Sequence, residues 1–156
     1  MNDVATAGLP LARMGLESFA PYLMNRIMGR YNAALRAEMA RLGLTTVQMR
    51  TLATLAVKDA LLIRDLAIFA VVEQSTLSRA LDRLEDDGLI SRVTDTSDNR
   101  ATRVSLTDKG HAAFDQLSPH MAQAHDQMFQ NISADEHAAF VATLQKVLRN
   151  VRVHDI

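Results

Sequence analysis

The sequence predicts a mainly α-helical fold interrupted once by a two-stranded antiparallel hairpin. Three observations predict it. Apolar residues recur at three- and four-residue steps through most of the chain. The period drops to two only on either side of DTSDNR, residues 95–100. Caps and glycines stand at the boundaries between these runs. With 156 residues, 48% hydrophobic and 22% charged, the chain can bury the core of one domain, or of a small domain with an appendage, and is not disordered.

The elements follow in order. Leu23, Ile27, Tyr31, Leu35, Met39 and Leu42 mark one side of a long helix within 16–42, which Gly43 ends by a left-handed cap. Pro21 suits its first turns or a break after a short preceding helix. Thr45 and Gln48 form a T-x-x-Q box opening a helix through Met49, Leu52 and Leu55 to about Val57. LLIRDLAIFAVV, 61–72, predicts a brief extended piece and a short helix around Asp65 to Ala70. A further helix runs from Glu73 to a stop at Gly88, and Leu89–Thr94 and Ala101–Leu106 form the hairpin. Thr107 caps a helix that Pro119 interrupts or kinks. Ser133 and Glu136 open the last helix as an S-x-x-E box.

Composition excludes several functions. No run approaches eighteen apolar residues, so no membrane partner is expected. The opening MNDVATAGLPLARMG lacks the basic patch and apolar stretch of a secretory signal, and there is no cysteine, so a cytoplasmic location is expected. The formal charge of −1 argues against a bulk polyanion binder, and any nucleic-acid contact must come from local placement. No glycine-rich phosphate loop or nucleophile elbow is present, and Ser75 and Ser78 lack an evident His–Asp partner, so no catalytic residue and no enzyme activity are expected. His111, His120, His125 and His137 match no metal-ligand spacing and read as surface histidines; neither metal nor cofactor is expected.

The helix from Glu73 carries the functional signal. At 100° steps Leu77, Ala80, Leu81 and Leu84 share one face, while Ser75, Ser78, Arg79, Asp82 and Asp86 lie opposite. Short side chains near its start let it approach a surface closely. Ser75, Thr76 and Ser78 are indifferent helix formers, and their presence calls for a reason other than helicity. In a major groove, hydroxyls and amides bond base edges and Arg takes guanine bidentately. The hairpin tip adds Asp95, Asp98 and Arg100; Arg100 suits a narrow minor groove, with Asp98 pairing its guanidinium. A readable helix followed by a charged hairpin is the order of a winged helix-turn-helix.

LTTVQMRTLATL at 44–55, IRDLA at 63–67, QSTLSRALDRLEDDGLISR at 74–92, and D-x-x-D-x-R at 95–100 followed by LTDKG at 106–110 resemble the MarR family of bacterial transcriptional regulators. The resemblance covers almost the whole chain. It implies an α+β winged helix: a DNA-binding lobe at 43–106, flanked by a helical dimerisation region made of 1–42 and 107–156. It also implies a homodimer on a near-palindromic double-stranded DNA operator, with half-sites about one helical turn apart, acting as a repressor released by a small aromatic or phenolic anion. The expected DNA-binding residues are Gln74, Ser75, Thr76, Ser78, Arg79, Asp82, Asp98 and Arg100. The expected ligand residues are Phe19, Tyr22, Arg26, Met49 and Leu52; the expected dimer residues are Leu16, Phe19, Phe140, Leu144, Val147 and Val151.

Four positions depart from the family pattern. Val71 stands where the turn often has Gly, Glu73 where the cap is often Ser or Thr, and Ile68 and Phe69 replace polar residues. Residues 73–103 hold five Arg against seven acids and no Lys. Phosphate contacts are therefore sought elsewhere, at Arg50, Lys58 or Arg64. The same acidic excess motivates a second reading, a helical protein–protein interaction module that kept the fold and lost DNA recognition.

Overall fold

The computed structural model describes residues 11–156. Residues 1–10, part of the segment read for a signal and of the expected 1–42 region, lie outside them. The elements are α1 (Leu11–Met14), a 3-10 turn (Leu16–Ser18), α2 (Ala20–Arg41), α3 (Thr46–Val57), β1 (Leu61–Leu62), α4 (Ile63–Phe69), α5 (Gln74–Asp86), β2 (Ile90–Thr94), β3 (Thr102–Leu106), α6 (Asp108–Met128) and α7 (Ala134–Val151). The fold is mainly α with a small antiparallel sheet, a winged helix.

The expected helix within 16–42 is divided. Pro21 sits in the first turn of α2, where a missing N–H costs nothing, and the chain before it forms separate short turns. At the far end Gly43 takes φ +72, and Leu44 donates back to the Met39 carbonyl at 2.9 Å. Both capping boxes form. Thr45 Oγ1 accepts from the Gln48 N–H at 3.1 Å while Gln48 Oε1 accepts from the Thr45 N–H at 2.9 Å, and Ser133 and Glu136 repeat the exchange. Contrary to one expectation, α6 runs through Pro119 without a break; the lost ladder bond falls at the exposed Asp115 carbonyl.

The sheet has three strands, not the two expected. Its order is β1-β3-β2, with Leu61 opposite Val104 and Leu62 opposite Arg103. The brief extended piece read at the start of 61–72 is this strand; its pairing with β3 is what the sequence did not show. Arg103 fastens that edge by donating to the Ala60 carbonyl at 2.7 Å.

The core is continuous across the expected domain boundary. Leu35 and Met39 of α2, Met49, Leu52 and Leu55 of α3, Leu66 of α4, Leu77, Leu81 and Leu84 of α5, Val104 of β3 and Leu117 of α6 form one cluster. The amphipathic face read for α5 is the one buried, with Leu77, Leu81 and Leu84 fully enclosed and Ala80 partly so. By contrast α7 has no buried residue. Phe140, Val147, Leu148 and Val151 on α7, and Leu23, Ile27 and Met28 on α2, are left exposed.

Candidate nucleic-acid interface

α5 presents its polar face because its apolar face is committed to the core. Gln74, Ser75, Thr76, Ser78, Arg79 and Asp82 are all exposed, on the sides of the helix that the core leaves uncovered. The N-cap Glu73 makes no side-chain capping bond, and the first N–H groups of α5 lack that partner.

The turn leading into α5 is strained. Val71 takes φ +53, a region that a β-branched side chain disfavours, and its side chain is exposed. Arg50 donates to its carbonyl at 3.4 Å. Of the other cations sought for phosphate, Lys58 lies over the Phe69 ring at 4.9 Å and Arg64 lies 3.6 Å from Asp65. Ile68 faces a cleft of about 520 Å³ that it shares with Gln74 and the C-terminal residues Val153 to Ile156, so the apolar corner meets the chain's own end.

The far end of α5 is clamped by the LTDKG run. Thr107 donates to the Gly88 carbonyl at 2.6 Å and its hydroxyl accepts from the Gly110 N–H at 3.0 Å. Lys109 donates to the Asp87 carbonyl at 2.6 Å, answering the negative end of the helix. Gly110 is required by close approach: a Cβ there would stand 2.0 Å from the Leu89 carbonyl oxygen.

At the hairpin tip the expected pair does not form. Asp98 Oδ1 accepts from the backbone N–H of Arg100 at 2.9 Å, not from its guanidinium. Asp95 organises the tip instead. Buried to 4% exposure, its carboxylate accepts from the Ser97 hydroxyl at 2.5 Å, from the N–H groups of Ser97 and Asp98, and from Arg103. The Ser97 hydroxyl, then Arg103, hold its pKa down to about 2. The tip is thus folded by a carboxylate where no apolar residue was available.

Internal pairing takes up four of the seven acids of 73–103. Arg92 on β2 reaches back to Glu85 and, at 2.9 Å, to Asp82; the hydrogen bond it donates to Glu85 chiefly raises the Arg92 pKa, against an opposing effect of burial. Asp82 is therefore an internal partner, a role the sequence reading missed. Arg83 pairs with Asp87 at 3.4 Å and Arg103 with Asp95. Among the described residues, Arg79 and Arg100 are the arginines of 73–103 that form no ion pair.

The expected ligand residues are not brought together. Met49 and Leu52 face inward and are buried in the core, 4% and 0% exposed, because the helix carrying them is covered on that side by α2 and α6. A groove of about 480 Å³ lies instead between α2 and α6, lined by Arg26, Ile27, Arg30, Tyr31, Ala34, Ala124, Gln127 and Met128. Tyr22 sits beside it, its hydroxyl accepting from Arg26 at 3.4 Å; Phe19, at the N-cap of α2, is not among the lining residues. Of the expected dimer residues, Leu16, Phe140, Val147 and Val151 are exposed, while Phe19 and Leu144 are half-buried.

Comparison with known proteins places these features in a family. The pattern of the MarR family matches residues 44–102. The chain is 60% identical to a crystal structure of a MarR family transcriptional regulator from Silicibacter pomeroyi, over 94% of this chain and 99% of that one, with a TM-score of 0.90. It is 26% identical to a mutant MarR from E. coli complexed with operator DNA, over 94% and 99% of the two chains, with a TM-score of 0.70. Bordetella bronchiseptica BpsR, whose DNA binding is regulated by 6-hydroxynicotinic acid, is 25% identical over 82% of this chain and 97% of its own, with a TM-score of 0.72.

Proposed function

Because the chain belongs to the MarR family of transcriptional regulators, we propose that it is a homodimeric repressor that reads a near-palindromic operator and is released by a small aromatic anion. In this reading the lobe at 43–106 binds DNA, with α5 in the major groove and the hairpin tip in the minor groove, while 1–42 and 107–156 pair the subunits. The observation that carries it is the division of charge: Asp82, Glu85, Asp87 and Asp95 are paired with Arg83, Arg92 and Arg103, leaving Arg79 and Arg100 outside ion pairs for DNA. An exposed arginine without a carboxylate partner is drawn to phosphate or a guanine edge at little desolvation cost. The unoccupied N–H groups at the start of α5 suit a phosphate as well, although Glu73 opposes it.

The groove beside α2 favours an aromatic carboxylate, since Arg26 and Arg30 can engage the acid and Tyr31, Ile27 and Met128 the ring. The acid that regulates BpsR is of that class. The competing interaction-module reading is weakened, since four of the seven acids that motivated it are paired internally.

Fluorescence anisotropy on an operator duplex tests the assignment. Arg79→Ala and Arg100→Ala should each weaken operator binding by about 1–3 kcal/mol, or roughly fivefold to 150-fold, with the fold intact by circular dichroism. If both bind every duplex as the wild type does, the tip and α5 do not read DNA.

A further inference from the structure

The turn joining α6 to α7 folds together two histidines that lie 12 residues apart in the chain, outside both the DNA-facing surface and the groove beside α2. His125 Nε2 and His137 Nε2 stand 3.3 Å apart. Their ring centroids are 5.3 Å apart, so both Nε2 atoms point into the gap between the rings. Phe129 holds the pair from one side, edge-on to His137 with centroids 4.4 Å apart and tilted against His125 at 4.9 Å. On the other edge of His125, Nδ1 lies 3.3 Å from Asp126 Oδ1. A carboxylate there accepts the Nδ1–H of the neutral ring and leaves Nε2 as a lone pair facing His137.

Two ring nitrogens this close are bridged either by a proton, as an Nε2–H···Nε2 hydrogen bond between neutral rings, or by a metal ion. Two imidazole nitrogens bound to one tetrahedral zinc, each at about 2.0–2.1 Å, stand about 3.3–3.4 Å apart. That is the separation found. We propose that His125 and His137 form a surface chelate for a divalent late transition-metal ion, with Zn(II) as its reference ion and Asp126 as a positioning residue that orients His125. No group of three potential ligands occurs among the described residues, so the site is open and water completes its coordination. Imidazole donors select zinc, nickel or copper over magnesium and calcium. The bound ion ties the last turn of α6 to the first turn of α7, and so sets the direction in which α7 presents its apolar stripe.

The test is calorimetric titration of the untagged full chain with Zn(II), with Mg(II) as the negative control. One Zn(II) per chain is expected. His125→Ala and His137→Ala should each lower the affinity at least about tenfold, Asp126→Asn should weaken it to a lesser degree, and His111→Ala, elsewhere on α6, should leave it unchanged. Circular dichroism checks that each variant is folded; all four side chains lie near or at the surface. The proposal is overturned if the wild type takes up no more Zn(II) than the His125→Ala/His137→Ala double variant, or if His111→Ala removes the binding equally.

Discussion

Val71 and Asp95 show how single residues shape the surface proposed to face DNA. Val71 holds φ +53, where Cβ crowds the following carbonyl oxygen at a cost of roughly 1–2 kcal/mol. Glycine relieves that crowding and gives back part of the gain through a more flexible unfolded chain. Val71→Gly should therefore raise stability by about 1 kcal/mol, read as a higher urea midpoint with an unchanged slope. An unchanged or lower midpoint would show that the turn is not strained. Asp95 carries a pH signature. Its folded pKa, about 2, lies below the ordinary aspartate value, so its contribution is complete above about pH 4 and is lost as pH falls toward 2. Asp95→Asn should be less stable than the wild type at pH 7, with the two converging as pH drops through that window. A difference independent of pH would mean the carboxylate's charge is not what holds the tip. From sequence, the nearest opposite charge to Arg100 was Asp98, and proximity in sequence misled; a tight turn aims neighbouring side chains apart, while Arg103, opposite Val93 on the strand pair, returns to Asp95.

At the scale of elements, what was legible was what is local. The boxes at Thr45–Gln48 and Ser133–Glu136, the cap at Thr107 and the apolar face of α5 each depend on residues within about one or two turns of one another, and each formed as read. What was not legible depends on partners far along the chain. β1 exists because Leu61 and Leu62 meet β3, some forty residues later, and His125 meets His137 only through the α6–α7 turn. Met49 and Leu52 illustrate a third case: an apolar stripe is the same in sequence whether it lines a ligand groove or the core, and only packing on both sides decides. The LTDKG run links sequence to element most directly, since Thr107, Lys109 and Gly110 together fasten the end of α5 to α6. Gly110→Ala should lose at least about 1–3 kcal/mol, because its Cβ meets backbone that cannot swing aside. Wild-type thermal stability in that variant would mean that α6 can shift away from Leu89 freely.

Across the whole molecule, one core serves the α2–α6 helices and the sheet, whereas α7 is left with an apolar stripe and little to cover it. Each exposed Val, Leu or Phe of that stripe, already partly covered, gains on the order of 1 kcal/mol if a second subunit buries the rest of it. Dimerisation through α2 and α7 follows as the expectation, and Leu148→Glu should shift the chain toward monomer in sedimentation equilibrium without loss of helicity. A monomeric wild type would remove the basis for paired half-sites. The net charge of −1 carries no attraction for DNA by itself; in the proposed reading, binding draws on local placement, with Arg79 and Arg100 the arginines of 73–103 outside ion pairs, and on helix N-termini. The most direct test of that account is fluorescence anisotropy of the purified protein on DNA flanking its own coding region, against scrambled duplex, across a salt series. The account predicts tighter binding to the native duplex, weakening steeply as salt rises. Equal and feeble binding to both duplexes at every salt concentration would contradict it.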